Sequence, residues 1–216
     1  MNQKIFDFDI FEKNNSRTLF NSGYDFIIGC DEAGRGPGAG PLYVAGACFK
    51  NYENIPEILY KLNDSKQLTE NVREELYPYI KKYCHYSIQK IEIATIEKIN
   101  ILNGSLYGMK LASEDIISKL KNENVLVLVD GNKKIKNFEY SQKTIVKGDS
   151  TSACIAAASI LAKVERDNFM KEIDKKYPEY DFKNNKGYLT RKHIEAIKKY
   201  GICDIHRKSF LKNFLT

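Results

Sequence analysis

Apolar residues fall in short blocks early in the chain and at helical spacing later, and this change of period sets the predicted elements. Phe26–Ile27–Ile28–Gly29–Cys30 reads as a strand running into Asp31, and Leu42 to Phe49 as a second. The short Gly/Pro-rich spacer between them implies an antiparallel hairpin. Thr69 is placed to N-cap a helix through about Lys82, with Leu76 and Ile80 on one face. Tyr83 to Ile93 has the aromatic and β-branched character of a third strand. Met109, Ala112, Ile116 and Leu120 recur at helical spacing, which predicts an amphipathic helix over residues 104–121. Val125–Leu126–Val127–Leu128–Val129 is continuously apolar and suits a parallel strand buried on both faces. Thr144–Ile145–Val146 reads as a short last strand ending at Lys147–Gly148–Asp149. Helices follow over roughly 151–174, striped by Cys154, Ala158, Leu161 and Val164, and over roughly 190–200, with Ile194 and Ile197.

Early strands, a crossover helix feeding a buried strand and closing helices describe one mixed α/β domain, residues 25–216. Residues 1–24 form a polar lead-in, read either as a short amphipathic helix around Phe8 and Phe11 or as a partly ordered segment. A length of 216 residues with 43% hydrophobic content can support a sizeable core. The net charge of +6, from 34 Lys+Arg against 28 Asp+Glu, permits a polyanionic partner without requiring one. Cys30, Cys48, Cys84, Cys154 and Cys203 include no C-x-x-C pair, so buried free thiols are expected rather than a zinc site or a disulfide framework. The N-terminus lacks signal-peptide features and no apolar run is long enough for a bilayer, so a soluble, cytoplasmic protein with no membrane partner is expected. No oligomerisation element stands out, which points to a monomer.

Candidate chemistry gathers where strands stop. Asp31 and Glu32 follow the first strand, Asp130 the most apolar one, and Asp149 the last. Neighbouring strand ends in an α/β sheet open on a common crevice, where carboxylates would repel unless a divalent cation neutralised them. Mg²⁺ suits such a set, and two ions could flank a phosphodiester. The alternative is plain: a strand-end Asp is often a turn residue or an N-cap, and Asp149 stands just ahead of a helix. Asp31 and Glu32, as neighbours, cannot both face inward from regular β structure, so their joint use requires the strand to end or bulge there.

The stretch Asp31-Glu32-Ala33-Gly34-Arg35-Gly36-Pro37-Gly38-Ala39-Gly40-Pro41 matches no standard nucleotide-binding fingerprint. It reads as a hairpin turn or, beside two acids, as a backbone-lined slot able to read a sugar hydroxyl. Asp64-Ser65-Lys66 is a solvated turn or a phosphate contact, and Lys183-Asn184-Asn185-Lys186-Gly187-Tyr188 a surface loop or a stacking platform. His85, His193 and His206 lack metal-ligand spacing and are expected at the surface or at caps.

Together with Val129-Asp130-Gly131-Asn132, Lys147-Gly148-Asp149-Ser150, the block from Ala157 to Asp167 and His206-Arg207-Lys208-Ser209-Phe210, these motifs occur in an order that resembles the ribonuclease HII family over about residues 24–210. Leu189 stands where a proline is common in that family. Gly-Arg-Gly is retained and the lead-in is too short for an added N-terminal domain, which favours HII over HIII. The resemblance implies an RNase H-like mixed β-sheet flanked by helices with a C-terminal helical cap. It implies Asp31, Glu32, Asp130 and Asp149 as catalytic ligands of Mg²⁺ or Mn²⁺, with Asp31 bridging two ions during catalysis. It further implies recognition of the ribose 2′-hydroxyl by Gly34, Arg35 and Gly36, backbone contacts from Ser65, Lys66 and Lys186, and stacking by Tyr188. The expected substrates are RNA–DNA hybrids and duplex DNA containing ribonucleotides, cut to 5′-phosphate and 3′-hydroxyl ends in DNA repair, with a sliding clamp as a further partner. The rival classes are a non-catalytic nucleic-acid-binding protein and an RNase H-like resolvase or recombinase.

Overall fold

The computed structural model describes residues 2–14 and 23–212. Its centre is a five-stranded sheet in the order β3-β2-β1-β4-β5. β1 (Phe26–Ala33) and β2 (Leu42–Phe49) form the expected antiparallel hairpin, and β3 (Cys84–Ile91) pairs antiparallel to β2. β4 (Val125–Asp130) lies parallel to β1, and β5 (Ser141–Ile145) parallel to β4. β4 is buried at every residue from Val125 to Val129, as its unbroken apolar run predicts.

Alternation sorts the strand residues onto two faces. Ile27, Ala45, Ala47, Leu126 and Leu128 pack in one core, while Ile28, Cys30, Val44, Val127 and Val129 pack in a second. The first core is closed by α5 (Ala153–Lys176), helped by α1 (Gln3–Asn14) and α2 (Glu70–Tyr83). The second is closed by α4 (Ile101–Leu120), preceded by the short α3 (Ile93–Ile99). Gly29 lets α5 press onto the sheet: a Cβ there would stand 2.2 Å from the Ile155 nitrogen. Thr69 caps α2 as expected, and Ser152 caps α5, its hydroxyl accepting from the Ile155 N–H at 3.2 Å.

The lead-in contributes α1, and its buried face explains its weak apolar pattern: Ile5 and Phe6 enter the core beside Asp9 and Glu12. Residues 15–22 of the lead-in lie outside the described residues. The C-terminal cap, α6 (Phe182–Asn185) and α7 (Arg191–Tyr200), packs through Tyr180, Phe182, Ala196 and Ile197 onto Met170 of α5.

Three expectations are corrected. β1 does not stop or bulge at its acids; it continues in regular register through Asp31↔Ala45 and Glu32↔Val44 to Ala33. β5 ends at Ile145, so Asp149 sits not at a strand end but in a 3₁₀ turn, Gly148–Ser150. His193 and His206 are buried, not superficial, with their Nε2 atoms 3.0 Å apart among Tyr180 and Phe182. A sequence offers no sign that two histidines thirteen residues apart will meet. The thiols behave as expected: Cys30, Cys48, Cys84 and Cys154 are free and buried, and Cys203 is free and half-buried. Among the described residues no helix is long and apolar enough to cross a membrane.

Candidate active site

The regular path of β1 sends Asp31 and Glu32 to opposite faces of the sheet, yet both line one cavity of about 360 Å³. The reason is the length of β4. Its pairing with β1 ends at Cys30↔Val129, so one edge of β1 is open beside the two acids. Asp130, the last residue of β4, completes the notch and lines the same cavity.

Each acid is held from its own side. Asp31 is buried toward α5, near the Ser159 hydroxyl. Glu32 accepts from the Ser105 hydroxyl of α4 at 2.8 Å and from the Arg35 guanidinium at 3.2 Å. Asp130 accepts from the Gly148 N–H at 2.8 Å. Burial holds the Asp31 carboxyl well above its ordinary range, and the charges of Glu32 and Asp130 push it further. Burial also raises Glu32 and Asp130, against the hydrogen bonds just described. Asp149 is pushed up to about 6 by burial, then by Asp64 and Asp130. It borders the acids without lining the cavity. The Lys66 ammonium faces the whole group: burial pulls it down, but Asp64, Asp149, Asp31 and Asp130 together raise it. Among the described residues no three His, Cys, Asp or Glu side chains already form a ligating cluster.

Two loops flank the acids. In the first, Asp64 accepts from the Lys66 N–H at 2.9 Å, Ser159 donates to the Ser65 hydroxyl at 2.7 Å, and buried Arg73 donates to the Ser65 carbonyl at 2.8 Å. The second is the glycine turn. Gly34 has φ +106°, and a Cβ there would meet the Arg166 side chain at 2.2 Å, so both conformation and space require glycine. Gly34, Arg35 and Gly36 line the cavity, with Tyr188 against Gly36 and half-exposed. Lys186 does not line it: its ammonium donates to the Lys183 carbonyl and its own carbonyl accepts from Arg166.

Five further residues went unassigned by sequence reasoning. Asp64 stands beside Asp149, and Ser105 holds Glu32. Ser159, Lys163 and Arg166 line the cavity from α5. The last three recur at i, i+4 and i+7 along the mostly apolar run that opens the helix, and that spacing was the available signal.

A mixed sheet flanked by helices, with acids around the open edge of its central strand, defines the RNase H-like class of phosphodiester hydrolases. Within that class the family profile of ribonuclease HII matches residues 28–213, and the chain belongs to that family. It is 46% identical over 211 residues to a ribonuclease HII of Endomicrobium trichonymphae, covering 97% of this chain and 93% of that one. Its fold resembles the ribonuclease HII in the PCNA:RNase HII complex from Archaeoglobus fulgidus, with TM-score 0.65 and 27% identity over 85% of this chain and 94% of that chain. The fold is also similar to Bst-RNase HIII crystallised in complex with Mn²⁺, with TM-score 0.68 and 17% identity over 88% and 69% of the two chains. Family membership makes the chain a ribonuclease H, an endonuclease that degrades RNA in RNA–DNA hybrids.

Proposed function

We propose that the chain hydrolyses the phosphodiester on the 5′ side of a ribonucleotide, in hybrids and at single ribonucleotides embedded in duplex DNA, leaving 5′-phosphate and 3′-hydroxyl ends. Asp31, Glu32, Asp130 and Asp149 would hold two divalent ions. The reading rests on one observation: acids from two strands and both sheet faces border a single notch. The donor set fits a hard cation, since carboxylates and hydroxyls face the cavity while the Cys30 thiol is turned away to Ser113. Bound there, Mg²⁺ or Mn²⁺ would neutralise the acids and activate a water. The Mn²⁺ complex of the similar Bst-RNase HIII supports this choice of ions.

The remaining roles follow from position. Lys66 and Ser65 meet the phosphate backbone beside the acids. The Gly34–Gly36 backbone reads the ribose 2′-hydroxyl, and the exposed ring of Tyr188 stacks on the adjoining sugar. Lys186, two residues before Tyr188 and outside the cavity lining, contacts the duplex backbone. The enzyme works as a cytoplasmic monomer in ribonucleotide removal and DNA repair. The PCNA complex of its Archaeoglobus relative supports a sliding clamp as partner. The decisive assay incubates the protein with a duplex bearing one ribonucleotide, with and without Mg²⁺, beside an all-DNA duplex. Cleavage at the ribonucleotide only with metal is expected; cleavage in EDTA, or of the all-DNA duplex, would reject the reading.

A further inference from the structure

The glycine turn is gripped from behind by two buried cations. Arg166 and Arg207 are 2% and 0% exposed. Their donors go to backbone carbonyls: Arg166 to Ala39 at 3.0 Å, Pro41 at 3.3 Å and Lys186 at 2.9 Å, and Arg207 to Gly40 at 2.8 Å, Pro37 at 2.9 Å and Arg35 at 3.4 Å. Arg207 also keeps one buried guanidinium nitrogen with no partner among the described residues. Burial, with Arg166 nearby, pulls Arg207 down to about 9. A fully buried cation with an unmet donor is costly, so simple surface packing does not explain it.

Peptide geometry says what the grip accomplishes. In a trans peptide the C=O and the following N–H point to opposite sides, and this chain has no cis bonds among the described residues. Capturing a carbonyl therefore aims the partner N–H the other way. Most of those N–H groups are already used: Gly38 donates to the Gly187 carbonyl and Gly40 to that of Ile205, while Pro41 has none. The peptide between Arg35 and Gly36 is different. Its carbonyl is held by Arg207, and its N–H, on Gly36, has no acceptor among the described residues. Gly36 lines the cleft, whereas Arg207 does not.

We propose that Arg207, with Arg166 as a second anchor, is a positioning residue for ribose recognition: it holds the Arg35 carbonyl and so presents the Gly36 N–H to the substrate's 2′-hydroxyl. This rests on the reading of Gly34–Gly36 given above. Lysine at 207 keeps the charge but loses the fork that reaches three carbonyls.

The test is a double-mutant cycle of Arg207→Lys and Gly36→Pro, the latter removing the N–H itself. Three quantities are measured for each variant: kcat/KM on a duplex with one ribonucleotide, Ki of an all-DNA duplex as competitor, and folded fraction by circular dichroism. We expect each single variant to lower kcat/KM about tenfold with Ki unchanged, and the double variant to be no worse than either one. An undiminished Gly36→Pro variant overturns the reading of the turn, and this inference with it. Additive losses, a Ki that rises in step, or an unimpaired Arg207→Lys variant overturn this inference alone. If Arg207→Lys does not fold, Arg207→Gln, which keeps two N–H donors but not the fork, takes its place in the same cycle, with the same outcomes.

Discussion

The acid notch and the glycine turn lie side by side but balance their charges in opposite ways. In the notch burial holds Asp31, Glu32 and Asp130 above their ordinary range, and neighbouring carboxylates add to it at Asp31 and Glu32, against the hydrogen bonds that pull the other way. The turn meets five of its backbone carbonyls, those of Arg35, Pro37, Ala39, Gly40 and Pro41, with guanidinium N–H groups. One region keeps buried carboxylates together and the other ties down its own backbone. That contrast suits the function proposed above, in which cations would be taken up at one place and a rigid backbone presented at the next.

Breaking the notch should give the largest effect. Asp130→Asn retains an oxygen for the Gly148 N–H but loses a negative charge. Cleavage should fall on the order of a thousandfold while duplex binding persists and the melting temperature does not drop. Substantial residual Mg²⁺-dependent turnover would show that the acid is not a ligand. Breaking the turn comes next. Gly34→Ala forces a side chain to φ +106° and against Arg166, so a cost of about 2 kcal/mol in denaturant unfolding is expected, together with loss of cleavage. A neutral outcome would mean that the turn is looser than its hydrogen bonds imply.

Asp9 sharpens the comparison as a buried acid outside the notch. It accepts from the Cys154 N–H at 2.9 Å near the start of α5, has one oxygen with no partner among the described residues, and is pushed up to about 7 by burial, against the lowering hydrogen bonds of Ser152 and Cys154. The folded state therefore binds the Asp9 proton more tightly than the unfolded state does. Its stabilising contribution is present at pH values below the ordinary carboxylate range and is lost as pH rises toward about 7. In metal-free protein, unfolding free energy should decline over that window, and Asp9→Asn should flatten the decline by about 1 kcal/mol or more. Parallel pH profiles for the two proteins would leave all the pH sensitivity to the notch.

Much of the fold is legible in residue order because it depends on local period. The β4 run, the hairpin of β1 and β2, the Thr69 cap and the stripe of α4 each follow from neighbours in the chain. The candidate acids are legible for a related reason: polar residues that interrupt strongly apolar strands are conspicuous. Their manner of meeting is not. The sequence suggests that β1 ends or bulges at Asp31 and Glu32, whereas the answer is the early end of a different strand, β4, which opens the edge of a regular one.

By itself, then, the sequence determined the strands, the main helices and the residue types that could carry phosphodiester chemistry, since those depend on spacing and side-chain character. Only the tertiary structure decided that Asp64 would join Asp149, that Ser105 would steady Glu32, that His193 and His206 would pair in the cap, and that two arginines would grip the glycine turn. Contacts between residues far apart in the chain depend on which elements end up adjacent and where each one stops. No local period encodes that.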